Sequence, residues 1–175
     1  NDLLGVVMTS NKMVFPLHLL FCPKNGRCNT DKPSMLISML TLLKEEFYKY
    51  EIDITQFPIT MDSWFASQDL KEKLHSIGFN KIIVAGKGNY VFEIKKLKKK
   101  SSVWKKEIEL TSGQWGIDVP SCRIKGNSPT FGEVVLFFFK KSTTNVYYLM
   151  DFSVNAMRGA EIWHIWKHHN LIEYF

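Results

Sequence analysis

The chain is 175 residues long, 45% hydrophobic and 23% charged, with 23 Lys plus Arg against 17 Asp plus Glu and a net charge of +6. That is one domain of chain with enough apolar content for a buried core, which excludes a disordered or collagen-like polymer. No apolar run approaches the ~18 residues that span a bilayer, so a membrane-crossing helix is excluded. The cysteines, Cys22, Cys28 and Cys122, have no CxxC spacing. They argue against a disulfide scaffold or a Cys-rich zinc module and suit a reducing compartment. Asn1 opens the chain without an initiator Met or a signal-peptide pattern, and apolar residues are still running at Phe175. The expectation is a piece of a longer protein.

Residues 3–9 (LLGVVMT) and 13–21 (MVFPLHLLF) are β-rich runs, and Ser10-Asn11 between them predicts an antiparallel hairpin. Residues 23–33 hold Pro23, Gly26, Asn25, Asn29 and Asp31, a composition that reads as loop. From 34 to 50 apolar residues recur at Met35, Leu36, Met39, Leu40, Leu43 and Phe47, the spacing of an amphipathic helix with Pro33 in its first turn. Residues 57–61 predict a short strand ending in Asp62, Ser67 can cap a helix over 68–77, and Gly78 closes it. Residues 81–85 (KIIVA) predict the next strand. Strand, helix and strand in that order make a parallel crossover, which puts Asp62 at the carboxyl end of a sheet strand, where open α/β sheets place their ligands. Gly86-x-Gly88 follows a strand but opens no helix, so a dinucleotide loop is rejected.

Between Lys81 and Lys106 there are nine lysines and a single acid, Glu93. The densest part, Lys95, Lys96, Lys98, Lys99 and Lys100, would attract a polyanion by counterion release, or else form a solvated loop. Past Lys100 the pattern is β-rich with no helical period: residues 103–110 alternate in part, 113–129 are turn-rich, and 134–139 with 146–150 read as a hairpin. A 3.6-residue period returns over 160–175, with Ile162, Ile165, Trp166, His169 and Ile172 on one stripe and Glu173 on its margin. Glu161, His164 and His168 share a face, but no Glu follows His164, so the metalloprotease motif is absent and histidines facing solvent or DNA are expected over a zinc site. Trp163 and Trp166 read as core, Trp104 and Trp115 as packing, and Asp151 as a strand-end residue.

Three stretches carry a family resemblance: ITMDSWFAS at 59–67, KIIVAGKGN after the intervening helix, and WKHHNLIEYF at 166–175. Together they resemble the DDE-class bacterial insertion-sequence transposases, in particular insertion-sequence family four. The opening LLGVVMTSNKMVFPLHLLFCPKNGR is similar to that family's second and third strands, so the resemblance covers essentially the whole chain. It implies an α/β fold, an RNase H-like mixed sheet with flanking helices and a β-rich insertion before the last acidic helix. The implied division is an RNase H-like core over 1–100 with its first strand missing, the insertion over 101–155, and a return helix over 156–175.

The resemblance also implies chemistry. Asp62 matches the family's second catalytic aspartate. Glu173 matches the glutamate of its signature of Tyr, two residues, Arg, three residues, Glu, six residues and Lys. His169 then stands at the Arg position and Trp166 at the Tyr position, both departures that touch contacts to the DNA backbone. The first aspartate belongs on a strand upstream of Leu3, with Asp2 the one nearby candidate. Two Mg²⁺ (or Mn²⁺) ions held by such carboxylates activate the attacking oxygen of a phosphodiester transfer and stabilise the leaving one. The implied function is DNA transposition by strand cleavage and transfer. Its partner is double-stranded DNA (transposon ends and target), the full-length protein is a homodimer, and no membrane is involved. The alternative is a DNA-binding remnant of a transposable element without catalysis; a plain RNase H-type nuclease is disfavoured by the insertion. Without the first strand, the sheet should be left open between the hairpin and the Asp62 strand. Asp62 and Glu173 should converge to roughly 4–8 Å, looser without ligand.

Overall fold

The computed structural model describes residues 2–10, 13–22, 28–111, 121–140 and 146–169. The two opening β-rich runs fold as β1 (Asp2–Ser10) and β2 (Met13–Cys22), paired antiparallel from Asp2 opposite Cys22 to Ser10 opposite Met13. The register shifts between Val6 and Val7, and Pro16 stands opposite Val7 at that irregularity, a place where a strand tolerates a residue with no amide donor. Helix α1 (Cys28–Tyr48) starts earlier than the sequence predicts, so residues 28–33 are helix instead of loop. Asn29, Thr30 and Asp31 open helices as readily as turns, and Pro33 comes early enough to remove only one amide-to-carbonyl bond.

The expected crossover is present as β3 (Ile59–Met61), α2 (Gln68–Ser76) and β4 (Ile82–Ala85), with β3 and β4 parallel. Ser67 Oγ accepts from the Leu70 amide at 3.1 Å, and Gly78 closes the helix at φ 103°, where a side chain would be strained.

Beyond β4 the chain departs from its local pattern. The lysine run is part of a hairpin, β5 (Val91–Ile94) and β6 (Leu97–Lys100), and not a loop. Lys95 (φ 49°) and Lys96 (φ 67°) form its two-residue turn, both in the left-handed region that a primed hairpin turn demands. Residues 101–111 are helix α3 (Ser101–Thr111), where the sequence reading expects β structure. Buried Ser101, Trp104 and Ile108 give it one narrow stripe, and two apolar anchors are too few to stand out as a period among Lys105, Lys106 and Glu107. The turn-rich stretch contains a strand, β7 (Ser121–Ser128), recruited by pairing along its whole length with β8 (Gly132–Lys140). β8 also pairs with β9 (Val146–Asp151), the hairpin the sequence predicts.

The result is a mixed α/β fold: a seven-stranded sheet of order β3-β4-β9-β8-β7-β5-β6, a separate β1-β2 hairpin, and four helices among the described residues. Register assigns the two faces. Ile82, Val84, Leu136, Phe138, Met150 and Phe92 join the main core under α1, α2 and α3. Ile83, Val135, Phe137 and Leu149 point the other way and meet Ile162 and Trp166 of α4 (Gly159–His169). No helix among the described residues is long and apolar enough to cross a membrane.

One contact in this core is intolerant of a single methyl. The Tyr148 ring lies against Gly86, where a Cβ would come within 2.1 Å of it, and Tyr148 donates its hydroxyl to the Lys87 carbonyl. Burial holds that phenol well above the usual tyrosine range, so it stays a donor. Gly86→Ala should cost about 1–3 kcal/mol in urea unfolding. Gly88→Ala, whose Cβ meets only Ser102 at 3.8 Å, should stay within about 0.5 kcal/mol of the parent.

Candidate functional site

Asp62 follows the last residue of β3 with extended backbone (φ −63°, ψ 156°), and a 3₁₀ turn over Ser63–Phe65 leaves from it. The carboxylate makes no capping bond and its side chain is 77% exposed, so it is presented to solvent instead of spent on structure. Its neighbour Ser63 is held by Tyr90, which donates its hydroxyl to the Ser63 carbonyl at 2.7 Å and whose phenol pKa is raised by burial.

The last helix comes back to this point. Ile162 and Trp166 bury α4 against the sheet, while Ile165 is half-buried beside them. The end of α4 then brings His169 over β3. Its Nδ1 lies 2.9 Å from Thr60 Oγ1, its Nε2 lies 3.8 Å from Asp62 Oδ1, and its ring stacks on Trp166 at 4.2 Å with 17° between planes. The His169 side chain is only 12% exposed. Thr60 is on β3 and Asp62 follows the strand with backbone still extended, so the two share a face and one imidazole reaches both. Thr60 is a site residue the sequence reading passes over; the period of two counted back from Asp62 is the signal that finds it.

Beside this cluster lies a cavity of about 670 Å³ with an unusual frame. β1 lines it from Leu4 to Ser10 and β3 along Ile59, Thr60 and Met61. Among the described residues each of these strands is hydrogen-bonded on one side only, β1 to β2 and β3 to β4. Leu36, Leu40 and Leu43 of α1 close one face, and Ile165, His168 and His169 of α4 border the other. Two strand edges with a helix layer on each face are the surroundings of a central strand in a covered sheet. The β1 edge is ~20 Å long at 3.3 Å per residue, the length of an average strand. Asp62 is the carboxylate at its rim.

The remaining sequence candidates distribute as follows. Glu173 lies outside the described residues, and so does Trp115. Lys95, Lys96, Lys98 and Lys100 are exposed on the β5–β6 hairpin. Lys99 is turned to the opposite face, where Nζ pairs with Glu107 at 2.5 Å and sits 4.9 Å over the Trp104 ring. Trp104 is buried and donates its indole N–H to the Phe92 carbonyl at 3.0 Å. Trp166 is buried, and Trp163 stacks on Phe139. His164 and His168 touch edge-to-face at 5.2 Å, while Glu161 faces Lys81 at 3.7 Å. Among the described residues no three His, Cys, Asp or Glu side chains gather to hold a metal. Asp151 is buried and accepts from the Ser153 and Met157 amides, a structural cap for the chain leaving β9. Comparison of the chain with protein-family models, curated proteins and solved structures returns no match.

The Thr60–His169 contact sets the orientation of the imidazole toward Asp62. Thr60→Val keeps the shape and removes the hydroxyl, and should lower stability by about 0.5–1.5 kcal/mol. Histidine ring NMR should show His169 losing its fixed tautomer, whereas an unchanged spectrum would mean that Thr60 does not orient it.

Proposed function

We propose that this chain is part of a DNA strand-transfer enzyme of the DDE class, built on an RNase H-like sheet with a β-rich insertion, and that Asp62 is one of its catalytic carboxylates. The observation that carries the reading is the cavity bordered by β1 and β3 beside Asp62. It lies between the hairpin and the Asp62 strand, where an RNase H-like sheet would have one more member. In this reading an extended segment carrying the first aspartate pairs with β1 on one side and β3 on the other, setting its carboxylate next to Asp62. The return of α4 to the same spot supports it as well, because Glu173 follows His169 by four positions in sequence.

The residues present fit a hard divalent cation in part. Asp62 offers an exposed, uncapped carboxylate, the donor such ions prefer. Asp62 and Glu173 are the residues that would hold Mg²⁺ or Mn²⁺, which when bound would polarise the phosphodiester and lower the pKa of the attacking hydroxyl or water. His169 stands where its Nε2 can donate to a phosphate oxygen next to Asp62, and Thr60 holds the ring in that attitude. The partner is double-stranded DNA, transposon ends and target, the working form is a homodimer, and the compartment is the bacterial cytoplasm.

Nicking of duplex DNA in Mg²⁺ or Mn²⁺ tests the proposal. Asp62→Asn in the full-length protein should reduce cleavage on the order of 100-fold or more while duplex binding persists. A variant that cleaves like the parent would overturn the role of Asp62. A parent protein that binds duplex and never cleaves it would favour the DNA-binding remnant instead.

A further inference from the structure

Among the described residues α4 covers only part of the sheet face it packs on. α4 lies over β4, β9 and β8, where Ile83, Leu149, Val135 and Phe137 meet it. The register carries the same face onward through β7, which α4 also touches, to β5 and β6. Arg123 stands opposite Phe137 and Lys125 opposite Val135, so both β7 cations share the α4 face. Asn127 of β7 stands opposite Glu93 of β5, and Glu93 opposite Lys98 of β6, with Lys100 opposite Val91. All four cations are exposed, and among the described residues none takes part in an ion pair. Two exposed acids share the face, Glu93 opposite Lys98 and Glu133 opposite Asn127. The two rows are staggered: Lys98 is in line with Asn127, so its nearest β7 cation is Lys125, ~12 Å away across two strand spacings, and neighbours within a row are ~6.6 Å apart. Lys95 and Lys96 extend this surface at the hairpin tip.

We infer that duplex DNA binds the basic part of this face, through Arg123 and Lys125 of β7 together with Lys98 and Lys100 of β6, and not along the lysine run as a linear segment. The inference rests on the DNA reading above and assigns its surface. It separates residues that the sequence groups together. Lys99, in the middle of the run, belongs to the opposite face, fixed on Trp104 and Glu107, and is structural. Arg123 and Lys125 lie more than twenty residues away in sequence and belong to the binding face.

Four phosphate contacts give a slope of log K against log salt near −3.6, about −0.9 for each. Binding of a short duplex is measured by fluorescence anisotropy across a salt series, with EDTA present so that cleavage plays no part. Arg123→Gln with Lys125→Gln should weaken binding and shift the slope toward zero by about 1.8. Lys99→Gln should leave affinity and slope unchanged while lowering the urea midpoint. Circular dichroism melts of each variant exclude unfolding as the cause of lost binding. If the parent binds duplex but the β7 double variant keeps the parent slope, the surface assignment is overturned and the DNA reading stands. If the parent binds no duplex, or binds duplex RNA more tightly, the DNA reading itself falls and the inference with it.

Discussion

Six consecutive residues of β8, Val134 to Phe139, are all buried, and the rest of the fold depends on that. A strand buried on both faces needs a partner on each edge and a cover on each side. β9 and β7 supply the edges, α4 one cover, and the layer of α1, α2 and α3 the other. Each fully buried Phe or Leu here contributes about 1.5–3 kcal/mol relative to exposure. That gain suffices to draw β7, whose outward residues are polar, into the sheet. It also fixes the path of α4, because Ile162 and Trp166 have nowhere else to bury.

The site follows from these packing demands. α4 is set by β8 and β9 rather than by β3, yet its end reaches β3 and lays His169 over Thr60 and Asp62. Asp62 is left exposed because β3 ends one residue earlier and the next turn directs the chain away. On the other flank, α1 touches both the hairpin and the main sheet, burying Met39 with Leu4 and Leu40 with the main core. This common cover holds the two sheets side by side without joining them. The cavity bordered by β1 and β3 is therefore mostly apolar, with Leu4, Val6, Leu36, Leu40 and Ile59 among the residues that line it.

Charge is sorted by the same alternation. In β6 the period of two sends Lys98 and Lys100 to one face and Lys99 to the other, so one basic run yields two different roles. In β7 it sends Arg123 and Lys125 outward while Cys122 and Ile124 face the core, and burial raises the Cys122 pKa so that it stays a thiol. Lys95 and Lys96 hold left-handed backbone without being glycine, a cost of about 1–3 kcal/mol each. The β5–β6 pairing has to offset it.

Much of the layout was legible from residues close in sequence. The β1–β2 hairpin, the Ser67 cap, the parallel crossover, the β8–β9 hairpin and the α4 stripe all rest on periods of two or 3.6 and on end signals, which neighbouring residues set by themselves. Asp62 at a strand end was legible for the same reason. Other features needed the tertiary structure. α3 has only two apolar anchors and is a helix because Trp104 and Ile108 find the main core. β7 is a strand because β8 needs an edge partner, and its polar face hides the alternation. The meeting of His169 with Thr60, and the sharing of one sheet face by Arg123 and Lys98, span long stretches of chain and are decided by which surfaces must be covered. Local sequence determines what each segment can become; only the competition to bury β8 decides which distant segments lie side by side.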